Sequence, residues 1–395
     1  MKKNIIIISL IVPMLFLSGC WSKRELSELA LVAALGIDYI DDEFAISVQV
    51  IDPSQVSSKQ PSGGKSPVVT YHAKGKTVFE AIRKILALSP RKLYFAHLQL
   101  VVIGEELAKN GLRDTVDFLA RDQEIRNDFT LIVSQQATAK DVLNVLTPIE
   151  KIPANRMLNS LKVTQDAWGS TLEVDIEDLV TDLGISNQYF VLSAIEVLGD
   201  KSLGIDQTNV ERIETPVKLE FTGLAIFKED KLIGYMDEYD SKSFNYLNDK
   251  IKSTIEIISC PSDGELTTEI TQSNTKTKGI VKDGIPRIHV SIDIVQNVAE
   301  VKCDIDLTEL KTIDLINRQT EEHIKKNLDK VLNTLQENYR ADVLGFGEVI
   351  HRTDPKLWKN IKKDWEEIYP EVKVNVKVNV KTQGLGTLQN SKIKE

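Results

Sequence analysis

Cysteine is nearly missing from this sequence: three residues in 395, at positions 20, 260 and 303. That excludes the multi-bridge framework of a small secreted domain. Histidine is almost as scarce, with only His72, His97, His289, His323 and His351. None lies in a His-Glu-x-x-His pair or beside a cysteine at zinc spacing, so all five are expected to be structural and no metal is expected. A Gly-x-Ser-x-Gly elbow is absent, which leaves a serine hydrolase of that type unsupported. The run Gly63-Gly64-Lys65-Ser66 imitates the end of a phosphate loop. Lys59 stands where that motif needs its first glycine, and no helix follows. Acidic clusters such as Asp41-Asp42 lack the twelve-residue spacing of a calcium loop. No residue set selects an enzyme chemistry, and no cofactor is expected. An excess of basic charge is missing too: 49 Lys and Arg face 58 Asp and Glu, a formal charge of −9. Such a balance argues against nucleic acid and against electrostatic docking to anionic lipid.

What is present begins with a leader. Lys2 and Lys3 precede an apolar run, Ile5 to Leu17, and the small residues Ser18 and Gly19. A spanning helix needs about 20 apolar residues, so this shorter run reads as a secretory signal. Leu17-Ser18-Gly19-Cys20 looks like a bacterial lipobox. Cleavage before Cys20 and attachment of a diacylglyceryl group to its thiol are expected, leaving 376 residues. Loss of the two lysines takes the formal charge from −9 to −11. Two acyl chains supply the stable anchoring that a single chain does not. Cys260 and Cys303 are expected as separate inert thiols, with a bridge between them as the alternative that export allows.

At 42% hydrophobic and 27% charged, the mature chain is ordinary globular material. "LALVAALGIDYI" and "FAISVQVID" flank the turn Asp41-Asp42-Glu43 and predict a β-hairpin. Residues 53–67, rich in Ser, Pro and Gly, predict a flexible loop. Thr77 and Glu80 form a capping box ahead of a helical stripe of Phe79, Ile82 and Leu86. Strands and helices then alternate to Leu198, predicting an N-terminal mixed α/β domain over 20–198. The polar stretch 199–216 is expected as a linker, 217–260 as a small middle domain, 261–384 as a C-terminal domain and 385–395 as a tail. The fold class is therefore mixed α/β (α+β), with three such domains. In the last, Ile313, Ile316, Thr320, Ile324, Leu328, Val331 and Leu335 recur at helical spacing. Asp354 and Pro355 open a shorter helix whose face carries Trp358, Ile361, Trp365 and Ile368. The two tryptophans are expected in the core, whereas Phe346 between Gly345 and Gly347 serves packing or binding equally well. "EVKVNVKVNVK" alternates valine with Lys and Asn as a half-buried strand, and its valines need a cover.

Taken in order, four motifs resemble the Ger(x)C family of spore-germination lipoproteins, the C subunits of nutrient germinant receptors. They are "GCWSKREL", with Cys20, Trp21, Arg24 and Glu25; "LGIDYIDDEFAISVQVIDP"; "SPRKLYFAHLQLVVIGEELAKNGLRDTVDFLARDQEIR", with His97 and Arg121; and "ADVLGFGEVIHRTDPKLWKNIKKDWEEIYPEVKVNVKVNV", with Phe346, Trp358 and Trp365. Ser22 departs from the Asp that members commonly place there. The resemblance implies a non-enzymatic, lipid-anchored subunit on the outer face of the spore inner membrane. It also implies assembly with an embedded A subunit and a transporter-like B subunit, to which nutrient recognition is mainly attributed. The competing reading is a solute-binding lipoprotein serving a transporter, which shares the leader, the anchor and a multi-domain α/β body. A cell-wall enzyme ranks third.

Overall fold

The computed structural model describes residues 28–57, 66–184, 189–260 and 263–385. Cys20, Trp21, Arg24 and Glu25 lie outside the described residues, as do the leader and residues 386–395.

The N-terminal half is built on one mixed nine-stranded sheet. Its strands are β1 (Leu29–Ile40), β2 (Glu43–Ile51), β3 (Val68–Gly75), β4 (Lys92–Tyr94), β5 (Leu100–Ile103), β6 (Thr130–Ser134), β7 (Tyr189–Leu198), β8 (Lys218–Lys228) and β9 (Lys231–Met236). The order is β3-β2-β1-β5-β6-β7-β8-β9, with β4 paired to the start of β1. The predicted hairpin is β1–β2, and its turn residues Asp41 and Asp42 both take positive φ, 56° and 61°. That is the geometry a two-residue turn needs to match strand twist.

Continuous apolar runs such as Leu100-Val101-Val102-Ile103 are buried on both faces. Leu100 and Val102 belong to the cluster formed with helices Ala139–Asn144 and Pro153–Ala167; Val101 and Ile103, on the opposite face, belong to the cluster that includes Val78, Ile82 and Leu107. Helices on both sides are the usual cover of a parallel centre. Buried Asp38 fixes one of them, accepting from Ala139 N at 2.7 Å and Lys140 N at 3.1 Å. In helix Val78–Ile85 the buried face is Val78, Ala81, Ile82 and Ile85. Phe79 of the expected stripe is 43% exposed and lies beside Phe118 and Arg83.

The sheet does not stop at residues 199–216. β8 pairs with β7 along its whole length, so the hairpin expected in a separate middle domain completes the N-terminal sheet. A lone hairpin cannot bury its own apolar face, and the edge of β7 gives Leu224, Ala225, Ile226 and Phe227 a core. The supposed linker is tied down as well. Buried Asn209 donates to the carbonyls of Leu146 and Val217 and accepts from Val217 N.

The C-terminal half carries a second sheet of β10 (Thr254–Ser259), β11 (Glu265–Lys282), β12 (Ile285–Val301) and β13 (Lys373–Gly384), in that order. Helix Leu310–Asn333 covers it with Ile316, Thr320, Ile324, Leu328 and Val331, as the spacing predicts. It also closes the free edge of β13: Glu321 Oε1 accepts from Val380 N at 2.9 Å and Asn317 Oδ1 from Thr382 N at 3.0 Å. Val376, Val378 and Val380 are buried, and the Lys and Asn between them face outward.

Cys260 and Cys303 are joined as a disulfide, with Cα atoms 6.4 Å apart, rather than standing as separate thiols. The antiparallel pairing of β10, β11 and β12 brings the end of one outer strand beside the chain leaving β12, a proximity that sequence distance hides. The bridge sits in a small cluster with Ile258, Leu266, Val298, Leu307 and Ile316. The largest core cluster spans both sheets, running from Val48 and Ile103 through Phe190 and Phe227 to Val290, Leu328 and Trp365, and a separate cluster around Leu100 and Val102 lies on the other face of the first sheet. Among the described residues no helix is long and apolar enough to cross a membrane.

Candidate functional site

The family-motif residues of the C-terminal half converge where the two sheets meet. After helix Leu310–Asn333 the chain makes a π-helical turn, Thr334–Tyr339, and reverses through Arg340 in the left-handed region. Tyr339 crosses to the first sheet, donating from Oη to the carbonyl of Tyr235 at 3.0 Å and filling the space where a Cβ on Gly234 would stand. Asp342 follows, 1% exposed. Its carboxylate accepts from Phe346 N at 2.8 Å, Gly347 N at 2.7 Å and Trp365 Nε1 at 2.9 Å. The first two donors are amides at the start of helix Phe346–Thr353, which has no side-chain cap of its own. An anion there satisfies orphan N–H groups and meets the positive end of the helix dipole.

The rings close around this carboxylate. Trp365 lies edge-on to Trp358, centroids 5.2 Å apart, and 6.2 Å from Tyr369, which in turn is 6.5 Å from Phe346. His351 stacks on Trp358, ring centroids 6.0 Å apart. Phe346, Trp358 and Trp365 are 2%, 5% and 5% exposed, so the expectation of core tryptophans holds and Phe346 joins them. The two glycines of Gly-Phe-Gly do different work. Gly345 takes φ of +68° with open space around it, whereas a Cβ on Gly347 would lie 2.7 Å from Trp358 Cη2 and 2.8 Å from Trp365 Nε1.

Gly347→Ala is therefore expected to destabilise the chain by about 3 kcal/mol through overpacking. Gly345→Asn is expected to be nearly silent, because Asn tolerates the left-handed region. Thermal unfolding of the two variants checks this; equal losses would show that backbone conformation, not ring contact, governs both sites.

Burial pushes the Asp342 carboxyl up to about 6, against the pull of its donors. Both oxygens are engaged, so at neutral pH the group clamps a turn and a ring and is not poised as a base. Asp342 also borders a cleft of 390 Å³ between helix Ile176–Gly184, β7 and the 342–352 segment, with Tyr189, Asp178, Lys250, Glu348 and Arg352 on its walls. Burial is the main reason the Tyr189 hydroxyl is pushed up to about 12.

His97 and Arg121 stand apart from this cluster. His97 ends the 3-10 turn Phe95–His97, exposed and edge-on to Tyr94. Arg121 ends helix Arg113–Arg121 and pairs with Asp117 at 2.8 Å on the surface. Asp342 was not among the candidates read from sequence. Its signal was an acidic residue just ahead of a Gly-Phe-Gly helix start, which only becomes a cap once the chain reverses at Arg340. Among the described residues no group of three or more His, Cys, Asp or Glu side chains converges as it would for a metal ion.

Two family models match the chain: the spore germination protein N-terminal domain over residues 22–197, and the spore germination B3/GerAC-like C-terminal family over residues 222–386. β8 and β9 thus fall largely within the second match while hydrogen-bonding into the first sheet. Spore germination protein KC of Bacillus subtilis (strain 168) is 30% identical over 401 residues, covering 100% of this chain and 98% of that protein. The putative spore germination protein YfkR of the same organism is 27% identical, with 95% of each covered. Spore germination protein B3, also from that strain, is 22% identical over 95% of this chain and 96% of its own length. The crystal structure of the GerBC protein shares the fold, with a TM-score of 0.57 and 19% identity over 88% of this chain and 96% of that one. With both halves matched in order and a relative related end to end, the chain belongs to the GerAC-like (Ger(x)C) family of spore germination proteins.

Proposed function

We propose that this protein is the lipid-anchored C subunit of a nutrient germinant receptor, held through Cys20 on the outer face of the spore inner membrane. There it assembles with an embedded A subunit and a transporter-like B subunit and acts without chemistry of its own. The observation that carries this reading is the end-to-end relationship to spore germination protein KC, with both family models in sequence order. The leader and lipobox support the anchor. Tethering confines the chain beside its partners and raises their effective concentration, which replaces part of the contact affinity. A solute-binding lipoprotein with two similar lobes closing about a hinge is disfavoured by unlike sheets of nine and four strands that share one core.

Affinity purification from detergent-solubilised spore membranes tests the assembly: two membrane partners are expected to travel with the chain, and its recovery alone would sink the proposal. Cys20→Ala is expected to move most of the chain from the membrane to the soluble fraction, since two acyl chains, not a basic face, hold it. Fractionation of that variant like wild type would remove the lipid anchor from the picture.

A further inference from the structure

The face of the second sheet turned away from helix Leu310–Asn333 is open. On β12 the buried residues Ile288, Val290 and Ile292 alternate with Arg287, His289, Ser291 and Asp293, which point the other way. The strands on either side continue the pattern. Lys276, Lys278 and Lys282 are exposed on β11, and Lys373, Lys377 and Lys381 on β13. The alternate residues of β11 meet the covering helices instead: Thr275 Oγ1 donates to the Tyr246 carbonyl, and a Cβ on Gly279 would meet Thr353 and Ile350.

Register sets the cations side by side. Arg287 pairs with Lys373, and Ser291 stands between Lys276 and Lys377. Neighbouring strands lie about 4.8 Å apart and alternate residues about 7 Å, so the charges cover a patch about 30 Å long and about 10 Å wide. Among the described residues of this patch Asp293 is the one acid, and it accepts from Asn379 Nδ2 at 2.7 Å. No ion pair neutralises any of the six lysines or Arg287 among the described residues. At the end of the same face, either side of the turn Asp283-Gly284, Ile280 is 49% exposed and Ile285 56%.

We propose that this face rests on a bilayer surface containing anionic lipid, with its lysines among the headgroups and Ile280 and Ile285 dipping into the boundary beneath them. The residue types select the partner. Protein interfaces deplete lysine and favour arginine and aromatic rings, and single-stranded nucleic acid stacks on aromatic rings; this face has six lysines, one arginine and no Phe, Tyr or Trp. Compact ammoniums on flexible stems suit the diffuse, mobile charge of a bilayer, which offers no fixed partners. The expected anchor at Cys20 stands eight residues before the first described one, at most about 28 Å of chain, so the surface is within reach. That proximity rests on the anchor proposed above; the contact itself does not. Composition, which argued against docking to anionic lipid, averages over a separation of charge. With these cations on one face of a chain of formal charge −9, the remainder is more acidic than the whole and is repelled by the same lipid. The face therefore sets which side of the body meets the membrane, while the acyl chains supply the hold.

Vesicle sedimentation tests it, using the whole mature chain, residues 20–395, made without its leader and so without acyl chains. In about 25 mM NaCl, vesicles of phosphatidylcholine with about 40% phosphatidylglycerol are expected to bind it at least about tenfold more tightly than phosphatidylcholine alone, and about 300 mM NaCl is expected to remove most of that difference. Lys278→Glu/Lys377→Glu is expected to weaken binding at least about tenfold. Lys311→Glu/Lys326→Glu, the same change of charge on helix Leu310–Asn333, is expected to stay within about twofold of wild type. Ile280→Ser/Ile285→Ser is expected to weaken binding about fivefold with its salt dependence unchanged. All six positions are exposed, so the melting temperatures are expected to match wild type. Absent or equal binding to the two vesicle types, equal losses from the two lysine pairs, binding indifferent to the isoleucine pair, or capture of soluble polyglutamate in place of vesicles would overturn the proposal.

Discussion

Replacing Trp365 by Phe is expected to destabilise the protein by about 2 kcal/mol at pH 7 and by only about 1 kcal/mol near pH 4, since a hydrogen bond to a charged acceptor is worth roughly 1.5–3 kcal/mol and one to a neutral acceptor less. The ring contacts with Trp358 and Tyr369 survive in large part. What goes is the indole N–H donated to Asp342 Oδ2. The carboxyl of Asp342 is raised from 3.8 to about 6 in the folded state, mainly by burial. A raised carboxyl contributes stability that is fully present below its unfolded pKa and lost as pH rises through the folded one, here between about 4 and 6. Above pH 6 the charge is buried in full and depends on its three donors. Below pH 4 it is neutral and each donor matters less. Urea denaturation of wild type and variant at pH 4, 5.5 and 7 measures this, read as the difference between the two proteins so that other titrating groups cancel. A penalty independent of pH would mean that the tryptophan matters only as volume. Trp365→Ala, which also removes the ring, is expected to cost about 5 kcal/mol at neutral pH.

Loss of the disulfide is the second large effect. Cys260 and Cys303 are 43 residues apart. Closing a loop of that length removes conformational entropy from the unfolded chain equivalent to about 4 kcal/mol on the chain-entropy account. For a chain of this size that corresponds to a fall of roughly 5 °C in melting temperature. A Cys260→Ser/Cys303→Ser double variant is expected to show it, and wild type under reductant should match the variant. The bridge closes the cluster of Ile258, Leu266, Val298, Leu307 and Ile316, so hydrogen exchange is expected to quicken there first and to leave the Trp365 cluster protected. A melting temperature indifferent to reductant would show that the bridged loop is already constrained in the unfolded chain.

Much of the architecture was legible because it is local. The alternation of valine with Lys and Asn made β13 readable, Asp354 and Pro355 announced a helix start, and Asp41-Asp42 marked a tight hairpin; each signal acts within a few residues. Where reading failed, the deciding contact was distant. Residues 199–216 are polar and resemble a linker, yet the unpaired edge of β7 recruits β8 and carries the sheet across them. Phe79 and Leu86 flanked Ile82 in a plausible helical stripe, but the buried face is Val78, Ala81, Ile82 and Ile85, which shares only Ile82 with it.

The candidate sites divide in the same way. The expected leader and lipobox at Cys20, the acidic balance and the order of family motifs are readings of the linear chain, since signals read by processing machinery and by composition need no fold. The pairing of Cys260 with Cys303 and the clamp of Asp342 on Trp365 were decided by tertiary structure alone. Each brings together groups far apart in the chain, 23 residues for the clamp and 43 for the bridge. Burial then gives those groups their properties, because a charge or a thiol is defined by what replaces water around it, and that is not written beside it in the chain.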